Sequence, residues 1–176
     1  MLAQERFPLR GVETTATLSE SLAVMGADLL AGVLAALDAG VPVPQAAQRT
    51  GEATYCRLLL KEDGVVDWAE PASLIERKVR AYDPWPRAVT TFAGETLLLL
   101  QTHVYPDTLG GEATRGTPGE VLAADGRHGL LVHTGHGILA VERLQKQFKK
   151  PLDWRSFLNG HPGFVGSCLG RRAEVI

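Results

Sequence analysis

The chain has 176 residues, of which 45% are hydrophobic and 22% charged, and its formal net charge is −2 at pH 7. These values fit one globular domain, or one domain and part of a second. Because there is no unbroken run of 18 apolar residues, no basic-then-apolar leader and only two cysteines, we expect no membrane span, signal peptide, disulfide framework or conventional zinc site. We therefore predict a cytoplasmic protein.

The N-terminal part is dominated by one periodic segment. Residues 1–16 are typical of a strand that runs into a loop. An amphipathic helix is then predicted, with Thr17 as its N-cap and Glu20 at the capping-box spacing. Gly40 is predicted to end the helix, because prolines follow it. The predicted apolar face consists of Leu18, Leu22, Met25, Leu29, Val33 and Leu37.

A polar, proline-containing stretch over residues 41–53 predicts a linker between two parts of the chain. Residues 54–68 are typical of a strand, a turn and a short strand. Pro71 then opens a predicted helix. Its apolar face consists of Leu74, Ile75, Val79 and Tyr82.

Trp85 lies between Pro84 and Pro86, where this helix gives way to a β pattern. A residue that precedes proline disfavours the helical conformation, so the chain must turn at this point. One hypothesis is an aromatic binding site, and the other is a structural corner formed by the three residues. We favour the corner, in which Trp85 covers the end of the following domain and its truncation to alanine costs about 3–5 kcal/mol.

The remaining chain is typical of short β-strands joined by glycine turns. Ala93-Gly94 predicts a hairpin, a glycine-rich loop follows at residues 107–119, and the turns at Asp125-Gly126 and Gly135-His136-Gly137 predict a three-stranded meander. Residues 153–160 predict a short helix that ends at Gly160, before an irregular tail. Five or six short strands with one small helix predict a mainly β fold with some α, as a closed or nearly closed barrel.

Most candidate chemical groups are better explained as ordinary surface residues. His133 and His136 are three residues apart, a spacing that suits a metal site on a helix but not on a strand and a turn, so we expect both to be solvated. Glu62-Asp63 is typical of an exposed turn and not of a catalytic carboxylate pair. Cys168 has no basic partner beyond the arginines at 171 and 172. We assign no catalytic residue and no metal ligand.

The C-terminal part carries an uneven charge. Over residues 143–172 there are seven basic side chains and a single acidic one, Asp153. A solvated charged face is one explanation, but a basic stripe on a small barrel is a common footprint for nucleic acid. The candidate contacts are Lys146, Lys149, Lys150, Arg155, Arg171 and Arg172.

Three stretches together resemble a known family. Residues 54–92 read TYCRLLLKEDGVVDWAEPASLIERKVRAYDPWPRAVTTF and resemble the start of the C-terminal domain of methionyl-tRNA formyltransferases, with its KEDG, IER and PWP motifs. The later PGEVL and KKPLDWRSFLNG segments, and the stretch MLAQERFPL near the N-terminus, are similar to the same family. The resemblance covers nearly the whole chain. Arg87 replaces a glycine of the family pattern, and Asp83 an asparagine.

The resemblance implies three parts. Residues 1–40 would be the end of a Rossmann-like formyltransferase domain, residues 41–53 a linker, and residues 54–176 a C-terminal β-barrel that resembles the oligonucleotide-binding fold. In the family this barrel contacts initiator tRNA. The complete enzyme uses 10-formyltetrahydrofolate, and its catalytic asparagine, histidine and aspartate lie in "N.H.SLLP" and "D.G" motifs that are absent here. We therefore expect no cofactor in this chain.

Two functional hypotheses follow from the resemblance. In the first, the chain is the tRNA-binding portion of a methionyl-tRNA formyltransferase, inactive alone, with initiator tRNA and a separate catalytic half as partners. In the second, it is a packing or substrate-recognition module of a sugar formyltransferase or a formyltetrahydrofolate-dependent hydrolase and does not bind RNA. We favour the first because of the basic C-terminal part, and we expect neither DNA nor a membrane as a partner.

Overall fold

The computed structural model describes residues 1–106 and 116–170. The chain divides into two units, Met1–Leu58 and Leu59–Ile176. Most of the predicted glycine-rich loop and two of the candidate contacts, Arg171 and Arg172, lie outside the described residues.

The first unit contains one long helix, α1 (Thr15–Asp38). The predicted helix is confirmed, but the predicted N-cap is wrong. Thr14 is the N-cap: its hydroxyl accepts a hydrogen bond from the backbone N–H of Thr17 at 3.2 Å, and the Thr17 hydroxyl accepts one from the N–H of Thr14 at 3.0 Å. Threonine replaces the usual glutamate of a capping box, so the Glu20 spacing was misleading. At the other end Gly40 has a φ of 68° and follows the C-cap, as in a Schellman motif.

No residue of α1 is buried within this unit. Met25, Leu29 and Val33 of the predicted apolar face are half-covered, whereas Leu22 and Leu37 are 40% and 55% exposed. The half-covered side of α1, residues near the N-terminus and the Pro42–Pro44 stretch line an open groove of about 630 Å³. The N-terminal amine of Met1 donates to the Ala46 carbonyl at 2.9 Å, which joins the start of the chain to the segment that follows α1.

By length and composition, α1 is also apolar enough to cross a membrane, with a mean hydropathy of 1.6 over its best window. The search for an unbroken apolar run does not find this helix, because charged residues such as Glu20 and Asp28 interrupt its apolar sequence. Core helices of soluble proteins pass the same test of length and composition. The length and composition of α1 therefore do not decide whether it spans a membrane, and the absence of a membrane span stays a prediction.

The predicted strand before Lys61 is absent. Residues 54–60 have no regular structure, and Lys61–Gly64 form a short 3-10 helix. The carboxylate of Asp63 accepts a hydrogen bond from the backbone N–H of Leu60 at 2.7 Å, which closes this turn locally. The helix α2 (Ala72–Ala81) is confirmed, with Ile75 and Val79 buried and Leu74 38% exposed.

The described residues form a sheet of six strands, which are β1 (Ala88–Phe92), β2 (Glu95–Val104), β3 (Val121–Asp125), β4 (Gly129–His133), β5 (Ile138–Lys146) and β6 (Leu152–Asp153). Every pairing between them is antiparallel. The order is β1-β2-β5-β4-β3, and β6 pairs with β5 beyond the end of β4. The predicted hairpin (β1–β2) and meander (β3–β4–β5) are confirmed, as is the short helix α3 (Trp154–Asn159).

One face of the sheet packs with α2, α3 and the tail to form the main core. Trp68 is 4% exposed there, and its indole N–H donates to the Thr90 hydroxyl at 3.0 Å. The strand residues of this core alternate along β2 and β4, and on β5 the alternation shifts by one residue between Val141 and Leu144, where the register with β2 is irregular. The largest fully buried side chains include Ile75, Leu97, Leu130, Leu139, Leu144, Phe157 and Phe164.

The two outer strands, β1 and β3, are connected by the tail and not by a ladder of their own among the described residues. The N–H of Gly170 donates to the Thr91 carbonyl of β1 at 3.0 Å. On the other side, the N–H of Leu169 donates to the Gly119 carbonyl at 2.8 Å and the N–H of Val121 donates to Ser167 at 2.9 Å. The mainly β class with helices is confirmed, and the tail, which was predicted to be irregular, spans between the sheet edges.

The turn around Trp85 is present, but its predicted packing role is wrong. The N–H of Arg87 donates to the Tyr82 carbonyl at 2.9 Å and closes the turn, with Pro84 exposed and Pro86 half-buried. Trp85 itself is 54% exposed and covers no core. The buried tryptophan is Trp68 instead.

The prediction of solvated histidines holds for one of the two. His136 is exposed, as expected for the turn between β4 and β5. His133 is only 9% exposed, and the ring carbons lie close to Gly116, where an added Cβ would approach them to 3.1 Å. The chain that precedes β3 covers this strand position, which local sequence does not reveal.

Candidate nucleic-acid interface

The turn between β5 and β6 carries the centre of the predicted basic region. The N–H of Lys149 donates to the Lys146 carbonyl at 3.0 Å, and the Gln145 amide donates to the Lys149 carbonyl at 2.6 Å. The N–H of Gln147 donates to Thr96 of β2 at 3.0 Å. This turn is therefore held at several points along its backbone while its side chains face solvent.

The three lysines of this turn region are not equivalent. Lys146 forms an ion pair with Glu95 at 2.7 Å, and this hydrogen bond and charge hold the pKa of the Glu95 carboxyl below its usual range. Lys149 and Lys150 are exposed, and neither forms an ion pair within the part of the chain that the structure describes. The charge available to an anionic ligand here comes from Lys149 and Lys150.

Arg155 lies in the first turn of α3 and is already bound within the protein. Its guanidinium lies 4.3 Å from the ring centroid of Trp154, within cation–π distance, and donates to the Gly126 carbonyl. The Asp153 carboxylate caps the helix, and its bonds from the hydroxyl and N–H of Ser156 and from the N–H of Arg155 lower the pKa of the Asp153 carboxyl. Arg155 thus presents a stacked, planar cation.

The hydrogen bond from Arg155 to the Gly126 carbonyl joins α3 to the β3–β4 turn, which carries a further cation. Arg127 follows Gly126 in the β3–β4 turn and is exposed. The Asp125 carboxylate accepts from the backbone N–H groups of Arg127 and His128 at 2.7 and 2.8 Å, which lowers the pKa of Asp125 and fixes the turn. Sequence reasoning missed Arg127 because 28 positions separate it from Arg155 along the chain.

Phe148 is the second residue that sequence reasoning missed. It lies at the tip of the β5–β6 turn, next to Lys149, and is 92% exposed. Its φ of 63° is in the left-handed region. The signal in the sequence was an aromatic residue inside the run KQFKK, an interleaving of aromatic and basic residues that the charge count overlooked.

A histidine pair lies on the other face of the sheet. His103 contacts Glu142 at 2.8 Å and His128 contacts Asp125 at 2.9 Å, and the two imidazole centroids are 5.6 Å apart. Within residues 1–106 and 116–170, no three histidine, cysteine or carboxylate side chains are arranged to hold a metal ion. We assign no metal to this pair.

Comparison with known proteins agrees with the resemblance of the motifs. The family described as the formyl transferase C-terminal domain matches residues 59–162. The chain belongs to this family. The match begins at the first residue of the second unit and ends just after α3.

Curated relatives match both units. A methionyl-tRNA formyltransferase from Treponema pallidum is 42% identical over 170 residues, which are 97% of this chain and 52% of the relative. Those from Treponema denticola and Roseiflexus castenholzii are 39% and 40% identical over 94% and 88% of this chain, and the matches span 51% and 48% of those relatives. The chain spans about half the length of the curated relatives it matches.

The similar solved structures support the fold. HypX from Aquifex aeolicus, crystallised with tetrahydrofolic acid, superposes with a TM-score of 0.64 over 93% of this chain and 28% of its own, at 22% identity. A variant of the same protein superposes equally well, with a TM-score of 0.64. At this level of identity the similarity shows a shared fold and no shared ligand.

Proposed function

We propose that this chain is the C-terminal tRNA-binding portion of a methionyl-tRNA formyltransferase and contacts initiator tRNA through its phosphates. The observation that carries the proposal is the pair of exposed lysines, Lys149 and Lys150, on a backbone-anchored turn of a chain that matches methionyl-tRNA formyltransferases along 97% of its length. Arg127 and Arg155 extend the same basic character to the start of α3. Arg171 and Arg172 stay candidate contacts from the sequence.

In this proposal the second unit acts as a barrel of the oligonucleotide-binding type, closed by the tail at residues 164–170. The formyl group of 10-formyltetrahydrofolate would be transferred by a catalytic half that the chain does not contain. Because the chain lacks the two catalytic motifs, we expect it to be inactive alone and to act with a partner that carries them. We place the chain in the cytoplasm.

The binding test is a titration of initiator tRNA against a random RNA of the same length at several salt concentrations. We expect a preference for initiator tRNA and an affinity that falls steeply with salt, since lysine–phosphate contacts release counterions. The double variant Lys149→Glu with Lys150→Glu should weaken binding and reduce the magnitude of the salt slope by roughly 0.7–0.9 for each phosphate that the variant no longer binds.

The matched control is Lys61→Glu with Arg77→Glu, which changes the net charge equally at two exposed positions of the same unit. It should leave the salt slope unchanged. Equal reductions in affinity for the two double variants would mean that only the overall charge matters and that the β5–β6 turn does not contact the RNA. Absence of any preference or salt slope in the unmodified chain would instead favour a module that does not bind RNA.

The expected inactivity has its own test. The chain should produce no formylated methionyl-tRNA when mixed with 10-formyltetrahydrofolate, and turnover should require an added formyltransferase domain. Turnover by the chain alone would contradict the proposal.

A further inference from the structure

Phe148 has a backbone conformation that its own side chain disfavours. Its φ of 63° lies in the left-handed region, which glycine adopts freely and a bulky residue adopts at a cost. Among the described residues other than glycine, only Arg87 and Ala93 also have a positive φ. Ala93 is in the β1–β2 hairpin turn, where that sign is ordinary. A disfavoured conformation at an exposed aromatic residue suggests that the position of the ring serves a purpose other than packing.

The ring is displayed and not packed. Phe148 is 92% exposed, and no aromatic or cation–π contact involves it among residues 1–106 and 116–170. Hydrogen bonds to the backbone at Gln147 and Lys149 hold the turn on both sides of it. The base of the turn is thus anchored while the ring extends into solvent.

The residues around the ring point to a polyanion as the ligand. Lys149 and Lys150, both exposed and without an ion pair in the described chain, follow Phe148 directly. An apolar protein surface would gain little from two unpaired ammonium groups. An exposed aromatic ring beside available cations is instead the arrangement with which proteins stack the bases and bind the phosphates of single strands.

We propose that Phe148 stacks on an unpaired base of single-stranded RNA while Lys149 and Lys150 bind the flanking phosphates. The inference rests on the proposed RNA-binding function and goes beyond it, because phosphate contacts alone do not require an unpaired base. Stacking does require one, since the faces of paired bases are covered by their neighbours in a duplex. The turn should therefore distinguish single strands from duplexes.

The test is fluorescence anisotropy of the full 176-residue chain with a labelled eight-nucleotide oligoadenylate, an abasic strand of equal length and charge, and an eight-base-pair RNA duplex. We expect the unmodified chain to prefer the oligoadenylate. Phe148→Ala should lower the affinity of the chain for the oligoadenylate by about 5- to 150-fold, as removal of one stacking residue does, with little change in salt slope. The same variant should bind the abasic strand as tightly as the unmodified chain does. Removal of the ring and removal of the bases together form a thermodynamic cycle that isolates the stacking contact.

Phe148→Gly separates a functional from a structural role. Glycine accepts the left-handed backbone, so this variant should fold with an equal or higher Tm and still lose the preference for oligoadenylate. Arg87→Gly is the matched control, because it relieves a φ of 70° at the other strained position and should leave oligoadenylate affinity unchanged. Tyr55→Ala, which removes an aromatic side chain that is 96% exposed in the first unit, should also bind normally.

The other possible results show whether the stacking proposal alone or the RNA-binding proposal as well is wrong. If Phe148→Ala binds oligoadenylate as tightly as the unmodified chain while Lys149→Glu with Lys150→Glu does not, the stacking proposal is wrong and the phosphate proposal stands. If Phe148→Ala loses equal affinity for the abasic strand, stacking is likewise wrong. If the unmodified chain binds no RNA, both proposals fail. If Phe148→Ala leaves RNA affinity unchanged but abolishes self-association in sedimentation, Phe148 contacts protein and not RNA.

Discussion

Trp68 and Trp85 belong to the same unit but have opposite environments. Trp68 is 4% exposed, and its indole donates to Thr90 within the core. It also packs against Gly119, where an added Cβ would lie 3.2 Å from the indole and 2.5 Å from the Leu169 carbonyl oxygen. Trp85 is 54% exposed on a turn between two prolines. The residue type is the same, and only the surroundings decide its contribution to stability.

This contrast gives a paired prediction. Trp68→Ala should lower the free energy of unfolding by about 3–5 kcal/mol, since it leaves a cavity and an unpaired Thr90 hydroxyl. Trp85→Ala should cost about 1 kcal/mol, because roughly half of its side chain stays in water in the folded state. Urea unfolding followed by far-UV circular dichroism measures both. A larger effect for Trp85→Ala would restore the packing role that the sequence suggested.

At the scale of single elements, capping explains where the helices begin. α1 starts at a threonine pair and α3 at Asp153, whose carboxylate accepts three hydrogen bonds from the first turn. α3 has only six residues, too few to be stable on propensity alone. Its cap and the burial of Phe157 therefore hold it beside the basic turn.

The cap predicts a pH dependence. The hydrogen bonds from Ser156 and Arg155 lower the pKa of Asp153 in the folded state, so the carboxylate stabilises α3 above its unfolded pKa of about 3.9. That stabilisation is lost as the pH falls through the lowered folded pKa. Asp153→Ala should therefore lower Tm at pH 7, and the difference from the unmodified chain should narrow below about pH 4. A constant difference down to about pH 2 would mean that side-chain packing and not the charge supports the helix.

At the scale of the whole molecule, the two units differ in how completely they are packed. The second unit has a continuous core, whereas α1 in the first unit has no buried residue and borders an apolar groove of about 630 Å³. The curated relatives are about twice as long as this chain. An apolar helix face of this kind favours association with another surface.

We predict that the chain self-associates through this face when no partner is present. Met25→Glu with Leu29→Glu places charge in the groove and should shift sedimentation toward the monomer at the same concentration. Ala23→Glu with Ala27→Glu adds the same charge at exposed α1 positions that do not line the groove, and should leave the association unchanged. A concentration-independent monomer for the unmodified chain would contradict the prediction.

Local sequence patterns account for the elements that depend on neighbouring residues. Residue periodicity and turn types predicted α2, the Ala93-Gly94 hairpin, the glycine-turn meander and α3, because helices and tight turns form from contacts a few residues apart. The family followed from the motifs, whose residues are specific only in combination. The prediction of a strand before Lys61 was wrong because a strand needs a neighbouring strand to pair with, and an apolar run does not supply one.

The fold determines which of these residues are buried, paired or available. β2 and β5 lie side by side, so Glu95 neutralises Lys146 across a separation of 51 positions in the chain. The same folding covers His133, leaves Trp85 in solvent and joins Arg155 to the Arg127 turn. Burial and ion pairing depend on contacts between distant segments, which a local pattern does not contain. For that reason the basic region was visible in the sequence, but its two available lysines and its exposed phenylalanine were visible only in the fold.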